Sequence, residues 1–384
     1  MHTGERVTDP DIQLAIYQEL SDHLNENFYK PDLQAVRAVF SVIHAHYAEG
    51  DPVWLFVIGP ARSGKTSVAI NCISSLPEVT VESDLTPRSF IVGKKGKEKD
   101  SLLQRGKNVI LAFKDFTTMI SRREDDQKEI MATLREVYDG SFRRRTAEVN
   151  ELWTGKATVI AACTPAIERA WAIHRDLGER FSQVRWHNSD NPQAVAKQAR
   201  KQIGNELAIG KTTRELVETF FSLANGNIAG LPDRYGDQID AAATMIARLR
   251  CNVVRDSHGT RQIIDVSTPE EPTTLAKNLA TIAIHHAALF GSDTVSMEDM
   301  KLAMRMAIDT IPSSRAKIIS SLTRDVAIPG NELREMCDVH KNTILWQTDE
   351  LQALGLLEVS ETITGERAYR HSMEMDDLWN ASKL

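Results

Sequence analysis

The sequence predicts an α/β domain built on a parallel sheet, followed by a helical domain and a small C-terminal domain of two helices and a hairpin. Three observations predict it. Short continuous apolar runs alternate with helix-length segments between Val53 and Trp186, which suits strands buried on both faces and joined by helical crossovers. A glycine-bearing loop, Gly59 to Thr66, joins the first of those runs to an apolar helical stretch. Beyond Pro192 the strand-like runs stop and helical periodicity takes over until roughly Ile319.

Length and composition agree with that layout. A chain of 384 residues exceeds what one hydrophobic core usually organises. The expected divisions are residues 1–50 (N-terminal helices), 51–190 (α/β core), 191–325 (helical domain) and 326–384 (terminal domain). Hydrophobic residues at 42% and charged residues at 26% exclude a largely disordered or low-complexity chain. No apolar run approaches a bilayer span, and Leu279 to Leu289 is interrupted by His285 and His286, so no membrane partner is expected. Met1 to Pro10 carries Glu5 and Asp9 and no apolar signal region, from which a cytoplasmic location is expected. Cys72, Cys163, Cys251 and Cys337 lie far apart and read as reduced core thiols. The net charge of -7 does not favour nucleic acid in general, so any DNA contact must come from local patches.

Taken in order, Asp9-Pro10 and Pro31 open two amphipathic helices carrying Ile12, Ile16, Leu20 and Leu24, then Leu33, Val36, Phe40 and Ile43. Val53 to Ile58, Val79 to Val81, Val109 to Phe113, Thr158 to Ala162 and Val184 to Trp186 are the expected strands. Ser296-Met-Glu-Asp299 reads as a capping-box helix start, and Pro312 ends that helix. Asn331 to Cys337 and His340 to Leu354 read as helices joined by a tight turn. Leu356 to Val359 and Ala368 to His371 then form a hairpin around Thr364-Gly365. Helix, turn, helix and hairpin is a winged-helix pattern.

The chemistry centres on Gly59-Pro60-Ala61-Arg62-Ser63-Gly64-Lys65-Thr66, which satisfies the P-loop pattern between a buried strand and an apolar helix starting at Ser67. In such a loop backbone N–H groups turn inward around phosphates, Lys65 bridges the outer phosphates, and Thr66 holds Mg2+. ATP with Mg2+ is the expected ligand. The run Val109 to Phe113 ends in Lys114-Asp115, and Asp115 is read as positioning the metal, with helix capping as the alternative. Phe116 follows where many ATPases carry a glutamate, so no general base is assigned. Glu82 and Asp84 are candidates by polarity and position alone.

This order of segments, from about Val53 to Pro312, resembles the AAA+ ATPases, especially the branch containing the minichromosome maintenance (MCM) helicases. The resemblance implies that Ala161-Ala-Cys-Thr164-Pro165 carries sensor 1, with Thr164 orienting water. It implies that Arg180, in Leu177-Gly-Glu-Arg180-Phe181, is an arginine finger acting in trans, which requires a homo-oligomeric ring or filament. Taken alone, Thr164-Pro165 also fits a strand-ending turn, and Arg180 an ion pair with Glu179 or a helix end. Ser141 to Trp153 resembles a pre-sensor hairpin, which makes Arg143, Arg144 and Arg145 DNA contacts; a solvated turn is the other reading. Lys94, Lys95, Lys97 and Lys99 form a second basic loop beside Gly93 and Gly96. Two departures stand out: Thr273 and Thr274 occupy the start of the lid helix where sensor 2 is usually an arginine, and Phe116 replaces the glutamate.

In the winged helix, Lys341, Asn342 and Thr343, with His340 and Gln347, lie on the second helix's expected DNA face, and Arg367 lies beyond the hairpin tip. From Val326 to Leu384 five basic residues oppose eleven acidic ones, a net charge of -6, so a protein partner competes with DNA there. Two functions follow as expectations. One is an MCM-like AAA+ ATPase that translocates on or remodels DNA. The other is an ATP-gated regulator or recruiter of the transcription, transposition or phage-defence type, with slow hydrolysis. A P-loop kinase fits the long helical segment poorly.

Overall fold

Val53 to Ile58 is apolar without interruption, so a strand here must be covered on both faces, and the surrounding architecture does so. The computed structural model describes residues 10–92, 94, 100–168, 180–187, 189–224, 226–256 and 261–384. Asp9, Lys95, Lys97, Lys99, Gly93 and Gly96, and the segment Leu177 to Glu179, lie outside the described residues. Helices α1 (Pro10–Asn27) and α2 (Leu33–Tyr47) precede β1 (Trp54–Ile58). Asp32 caps α2 by accepting the Ala35 N–H at 3.0 Å.

After β1 the loop of residues 59–65 enters a wide i→i+5 turn at Thr66–Ile70 and a tight 3-10 turn at Asn71–Ile73, rather than one regular helix. Strands β2 (Val79–Glu82) and β3 (Asn108–Phe113), a 3-10 stretch at Phe116–Ser121 and α3 (Glu124–Tyr138) follow. Next come β4 (Ser141–Arg145), β5 (Asn150–Thr154), β6 (Lys156–Cys163) and β7 (Phe181–Arg185). Helices α4 (Pro192–Lys201), α5 (Glu206–Leu223) and α6 (Asp233–Leu249) lead to β8 (Val253–Arg255) and β9 (Ile263–Val266). Helices α7 (Thr273–Leu289), α8 (Met297–Thr310) and α9 (Ser313–Ser320) come next. The chain ends with β10 (Ile328–Pro329), α10 (Gly330–Cys337), α11 (Lys341–Ala353), β11 (Leu357–Glu361), β12 (Arg367–His371) and α12 (Met373–Ser382).

The chain divides into two compact units, residues 1–230 with 281–302, and residues 231–280 with 303–384. In the first, the strands form a parallel sheet in the order β2-β3-β6-β1-β7. Trp54, Phe56, Leu111, Val159 and Phe181 bury one face against α3 residues Ile130, Leu134 and Val137. The other face meets α2, where His46 Nδ1 lies 2.9 Å from Thr158 Oγ1. Behind α2, the rings of Tyr17, Phe40, Phe220, Phe221 and Phe290 form an aromatic cluster, with Tyr17 edge-on to Phe290 at 4.8 Å. Of the capping box expected at Ser296, one half is present: Asp299 Oδ2 accepts the Ser296 N–H at 2.7 Å, and the Ser296 hydroxyl donates to the same oxygen at 2.6 Å.

In the second unit, α12 packs on α6, where Gln238 Nε2 donates to the Ser382 carbonyl at 2.7 Å and Arg248 pairs with Glu374. The buried Arg315 guanidinium donates to the Leu249 and Cys251 carbonyls at 2.8 and 2.7 Å and pairs with Glu350 of α11 at 2.9 Å. A three-stranded antiparallel sheet runs β10-β12-β11. The expectation that strands stop beyond Pro192 until the terminal domain is corrected by the β8–β9 hairpin. Its strands are short and half exposed, so they carry no continuous apolar run. No helix among the described residues is long and apolar enough to cross a membrane.

Candidate functional site

The P-loop is held from both sides by the strands that flank β1. The Gly59 N–H donates to the Cys163 carbonyl at the end of β6, at 3.0 Å. The Trp186 N–H just after β7 donates to the Ile58 carbonyl at 2.7 Å. A Cβ on Gly59 would stand 2.8 Å from Trp186 Cβ, so the close approach of that indole requires glycine. Arg62 (φ +61°) and Gly64 (φ +90°) turn the backbone through left-handed conformations, the geometry that aims successive N–H groups toward one point. The Ser63 hydroxyl oxygen is buried with no hydrogen-bond partner among the described residues.

Lys65 is buried, and its Nζ donates to the Pro60 carbonyl at 2.8 Å. Burial lowers its pKa, while Asp115 and Cys163 pull the other way. The Cys163 thiol is pushed well up by burial; all four cysteines are buried, and among the described residues none forms a disulfide. Thr66 Oγ1 reaches the Lys114 carbonyl at 3.3 Å. The Thr66 hydroxyl thus stands beside the end of β3, where Asp115 follows.

Asp115 is exposed and caps the Phe116–Ser121 turn: its Oδ1 accepts the Thr117 N–H at 2.9 Å. Its Oδ2 carries no hydrogen bond among the described residues. The capping reading of Asp115 is thus what the structure displays. Thr117 Oγ1 in turn accepts the Thr164 N–H at 2.8 Å and lies 3.3 Å from Thr164 Oγ1. Thr117 joins the acid at the end of β3 to the threonine at the end of β6; nothing in its sequence surroundings marks it. Phe116 is buried among Phe56, Phe113 and Phe181, which gives the position after Asp115 to the core.

A cavity of about 680 Å³ opens on this loop. Pro60 to Ser67 form one wall; Phe28, Tyr29 and Pro31 between α1 and α2, with Trp186 and His187, form another, and Val195, Gln198 and Ala199 of α4 a third. His187 stays near it because Asp32 Oδ2 accepts its backbone N–H at 2.9 Å.

Arg180 does not join this cluster. Phe181 pairs with Trp54 at the start of β1, so Arg180 stands at the opposite end of the strands, ~13 Å along β1 from the P-loop. There it lies over the Tyr138 ring at 5.1 Å and 3.8 Å from Asp139. Glu82 and Asp84, at the end of the outer strand β2, are paired with Arg105 (3.4 Å) and Arg122 (2.5 Å). Glu168, on the turn after Thr164, pairs with Arg185 at the end of β7.

Strand alternation separates the three arginines of the β4–β5 hairpin. Phe142 and Trp153 face the core. Arg144 is on that same face, half-buried, and donates to the Pro87 carbonyl at 3.1 Å. Arg143 and Arg145 face outward opposite Leu152 and Asn150. Lys94 is exposed.

In the second unit, Thr273 and Thr274 begin α7. Lys341, Asn342 and Thr343 form the first turn of α11, capped by His340, whose Nδ1 accepts the Asn342 N–H at 3.2 Å. Arg367 pairs with Asp349 at 3.0 Å. Gln347 turns away from that face, its Oε1 3.2 Å from Ser314 Oγ. No protein-family model and no curated protein matches the chain.

Proposed function

We propose that the chain is an AAA+ ATPase of the MCM-like branch, which binds ATP with Mg2+, assembles as a ring or filament and works on DNA. The observation that carries this reading is the strand order. It inserts β6 between the P-loop strand β1 and the acid-bearing strand β3, so Lys65, Thr66, Asp115 and Thr164 converge at the C-terminal ends of these strands with Thr117 linking the last two. The orphaned Ser63 hydroxyl, the left-handed Arg62 and Gly64, and the cavity fit a triphosphate. Thr66 and Asp115 are the residues that would hold Mg2+, which neutralises charge on the phosphates when bound.

In this reading the loop amides of Gly59 to Thr66 bind the phosphates, and Ser67 lies at the same helix start. Lys65 exchanges the Pro60 carbonyl for phosphate oxygen, gaining a charged partner that offsets its burial. Thr164, fixed through Thr117, orients water. Arg180, too far from its own P-loop, completes the site of the adjacent subunit in trans. Arg143 and Arg145 are the exposed hairpin cations for nucleic acid, with Arg144 bracing the hairpin. The terminal domain is a winged helix, for which the α10–α11 pair and the β11–β12 hairpin are the support.

One observation favours the second reading, an ATP-gated regulator or recruiter with slow hydrolysis. Phe116 is in the core and both Glu82 and Asp84 are held by arginines, so none of these three positions offers an unpaired carboxylate. The test is ATP hydrolysis by the full chain with and without single- and double-stranded DNA, alongside Lys65→Ala and Asp115→Asn. Hydrolysis stimulated by DNA and lost in both variants supports the first reading. Nucleotide-dependent assembly with slow, DNA-indifferent turnover selects the second, and wild-type ATP binding unaffected by Lys65→Ala contradicts both.

A further inference from the structure

Three of the five basic side chains between Val326 and Leu384, Arg334, Lys341 and Arg367, surround one groove of about 220 Å³. Its apolar lining comes from Ile344, Leu345 and Tyr369. Leu345 is 38% exposed there, while Ile344 and Tyr369 are buried. The helices α10 and α11 both begin at this groove, at Gly330 and Lys341, which adds the positive ends of two helix dipoles to the three cations. One carboxylate of the chain already answers that field: Glu366 Oε1 accepts the Asn331 N–H at 2.8 Å.

The cations themselves are available. Lys341 has no ion pair among the described residues. Arg334 meets Glu335 only at 3.5 Å, and Arg367 meets Asp349 at 3.0 Å, both in exposed settings where such pairs contribute little and exchange readily. Of the other two basic residues, Arg370 is bound to Glu358 at 2.7 Å, and Lys383 lies at the end of α12.

The terminal domain as a whole is acidic, with a net charge of -6 from Val326 to Leu384. A DNA duplex offers a long array of phosphates and would have to lie across that acidic surface as well as the groove. A short peptide does not: an apolar side chain fills the floor and its flanking carboxylates meet the cations. We propose that this groove binds an acidic peptide segment of a partner protein, anchored by an apolar side chain on Leu345 and held by Arg334, Lys341 and Arg367. The inference is independent of the nucleotide reading.

The test uses the full chain and fluorescence anisotropy with a labelled peptide, Glu-Asp-Leu-Trp-Glu-Asp, against its amide counterpart Gln-Asn-Leu-Trp-Gln-Asn and a labelled DNA duplex. The acidic peptide is expected to bind, more weakly as salt rises, and the amide peptide to bind poorly. Arg334→Gln, Lys341→Gln and Arg367→Gln should each weaken binding ~2- to 5-fold, the triple variant should lose it, and Leu345→Ser should weaken it too. Reversal with Lys341→Glu and Arg367→Glu should transfer binding to Lys-Arg-Leu-Trp-Lys-Arg, a gain that misfolding does not produce. Equal binding of acidic and amide peptides, or no binding of the acidic one, overturns the proposal. So does duplex binding lost in the same variants while the peptide is ignored, or self-association that the triple variant abolishes.

Discussion

Replacing Thr117 with valine removes one oxygen and keeps the side-chain shape, so the loss is confined to what that oxygen does. Thr117 Oγ1 is the acceptor for the Thr164 N–H at 2.8 Å and lies 3.3 Å from the Thr164 hydroxyl. A buried donor left unsatisfied costs ~1–3 kcal/mol; the site is only partly buried, so the lower end, ~1 kcal/mol, is expected in urea unfolding. If Thr164 orients the attacking water, the same loosening raises the hydrolysis barrier by a similar amount. That corresponds to a ~5- to 10-fold lower kcat. KM should hold, because the P-loop contacts are untouched. Thr117→Ser retains the hydroxyl and should recover both stability and rate, whereas Thr118→Val, whose hydroxyl meets only the exposed Asp115 carbonyl, should change little. A Thr117→Val protein with wild-type stability and wild-type kcat, or one altered only in KM, would refute the linkage between Asp115 and Thr164.

Further expectations come from other parts of the fold. Gly155→Ala would set a Cβ 1.7 Å from the Lys107 carbonyl oxygen, the acceptor of the Lys156 N–H at 3.0 Å. The cost should reach or pass the ~3 kcal/mol upper range of overpacking, seen as insolubility or a steep fall in Tm; a near-normal Tm contradicts it. His46 and His285 are each lowered from 6.5 to about 4, chiefly by burial. The unfolded chain therefore binds more protons below pH 6.5, and stability should fall as pH drops from 6.5 to 4. His46→Gln and His285→Gln should each flatten that slope in pH-dependent urea unfolding; unchanged slopes refute it. Lys156, lowered from 10.5 to about 8 by burial, works in the alkaline window. Its contribution should become more favourable between pH 8 and 10.5, and wild type should gain on Lys156→Met across that range. Arg143→Ala with Arg145→Ala should weaken DNA binding at unchanged Tm, while Arg144→Ala, which frees the Pro87 carbonyl, should lower Tm; equal effects from both would contradict the division of faces.

Local signals carried much of this structure. The loop Gly59 to Thr66 is legible as a candidate phosphate site because its pattern is contiguous in the sequence. The strands of the main sheet are legible because burial on both faces leaves uninterrupted apolar runs such as Val109 to Phe113. The α10–α11 pair likewise follows from turn residues and periodicity, while the β4–β5 hairpin is expected only from the family resemblance. What escaped depends on tertiary neighbours. Thr117 meets Thr164 only because strand order sets β3 beside β6, and Arg144 differs from Arg143 and Arg145 only through which side of the hairpin meets Pro87. The β8–β9 hairpin is short and half exposed, and is held partly by Arg255 reaching Glu350 at 3.0 Å, a long-range pair with no local trace. Helix α12 carries a Ser372 cap, its oxygen accepting the Met375 N–H at 3.2 Å, and the acidic Glu374 and Asp376 in its first turn favour the same start, although the pattern expected from the sequence ends at the hairpin. Gln347 shares a helix with Lys341 but turns toward Ser314 and Arg315, because α9 packs on that side.

The central claim is a nucleotide site finished by a second copy of the chain, and subunit mixing addresses it most directly. Lys65→Ala removes the phosphate contact of a protomer's own site, and Arg180→Ala removes the side chain that, on this account, serves its neighbour. Each variant alone should hydrolyse little ATP, and mixing them should restore a fraction of wild-type turnover, because some interfaces then pair an intact P-loop with an intact Arg180. Full activity of Arg180→Ala alone, or no recovery on mixing two variants that still co-assemble, would contradict the shared site.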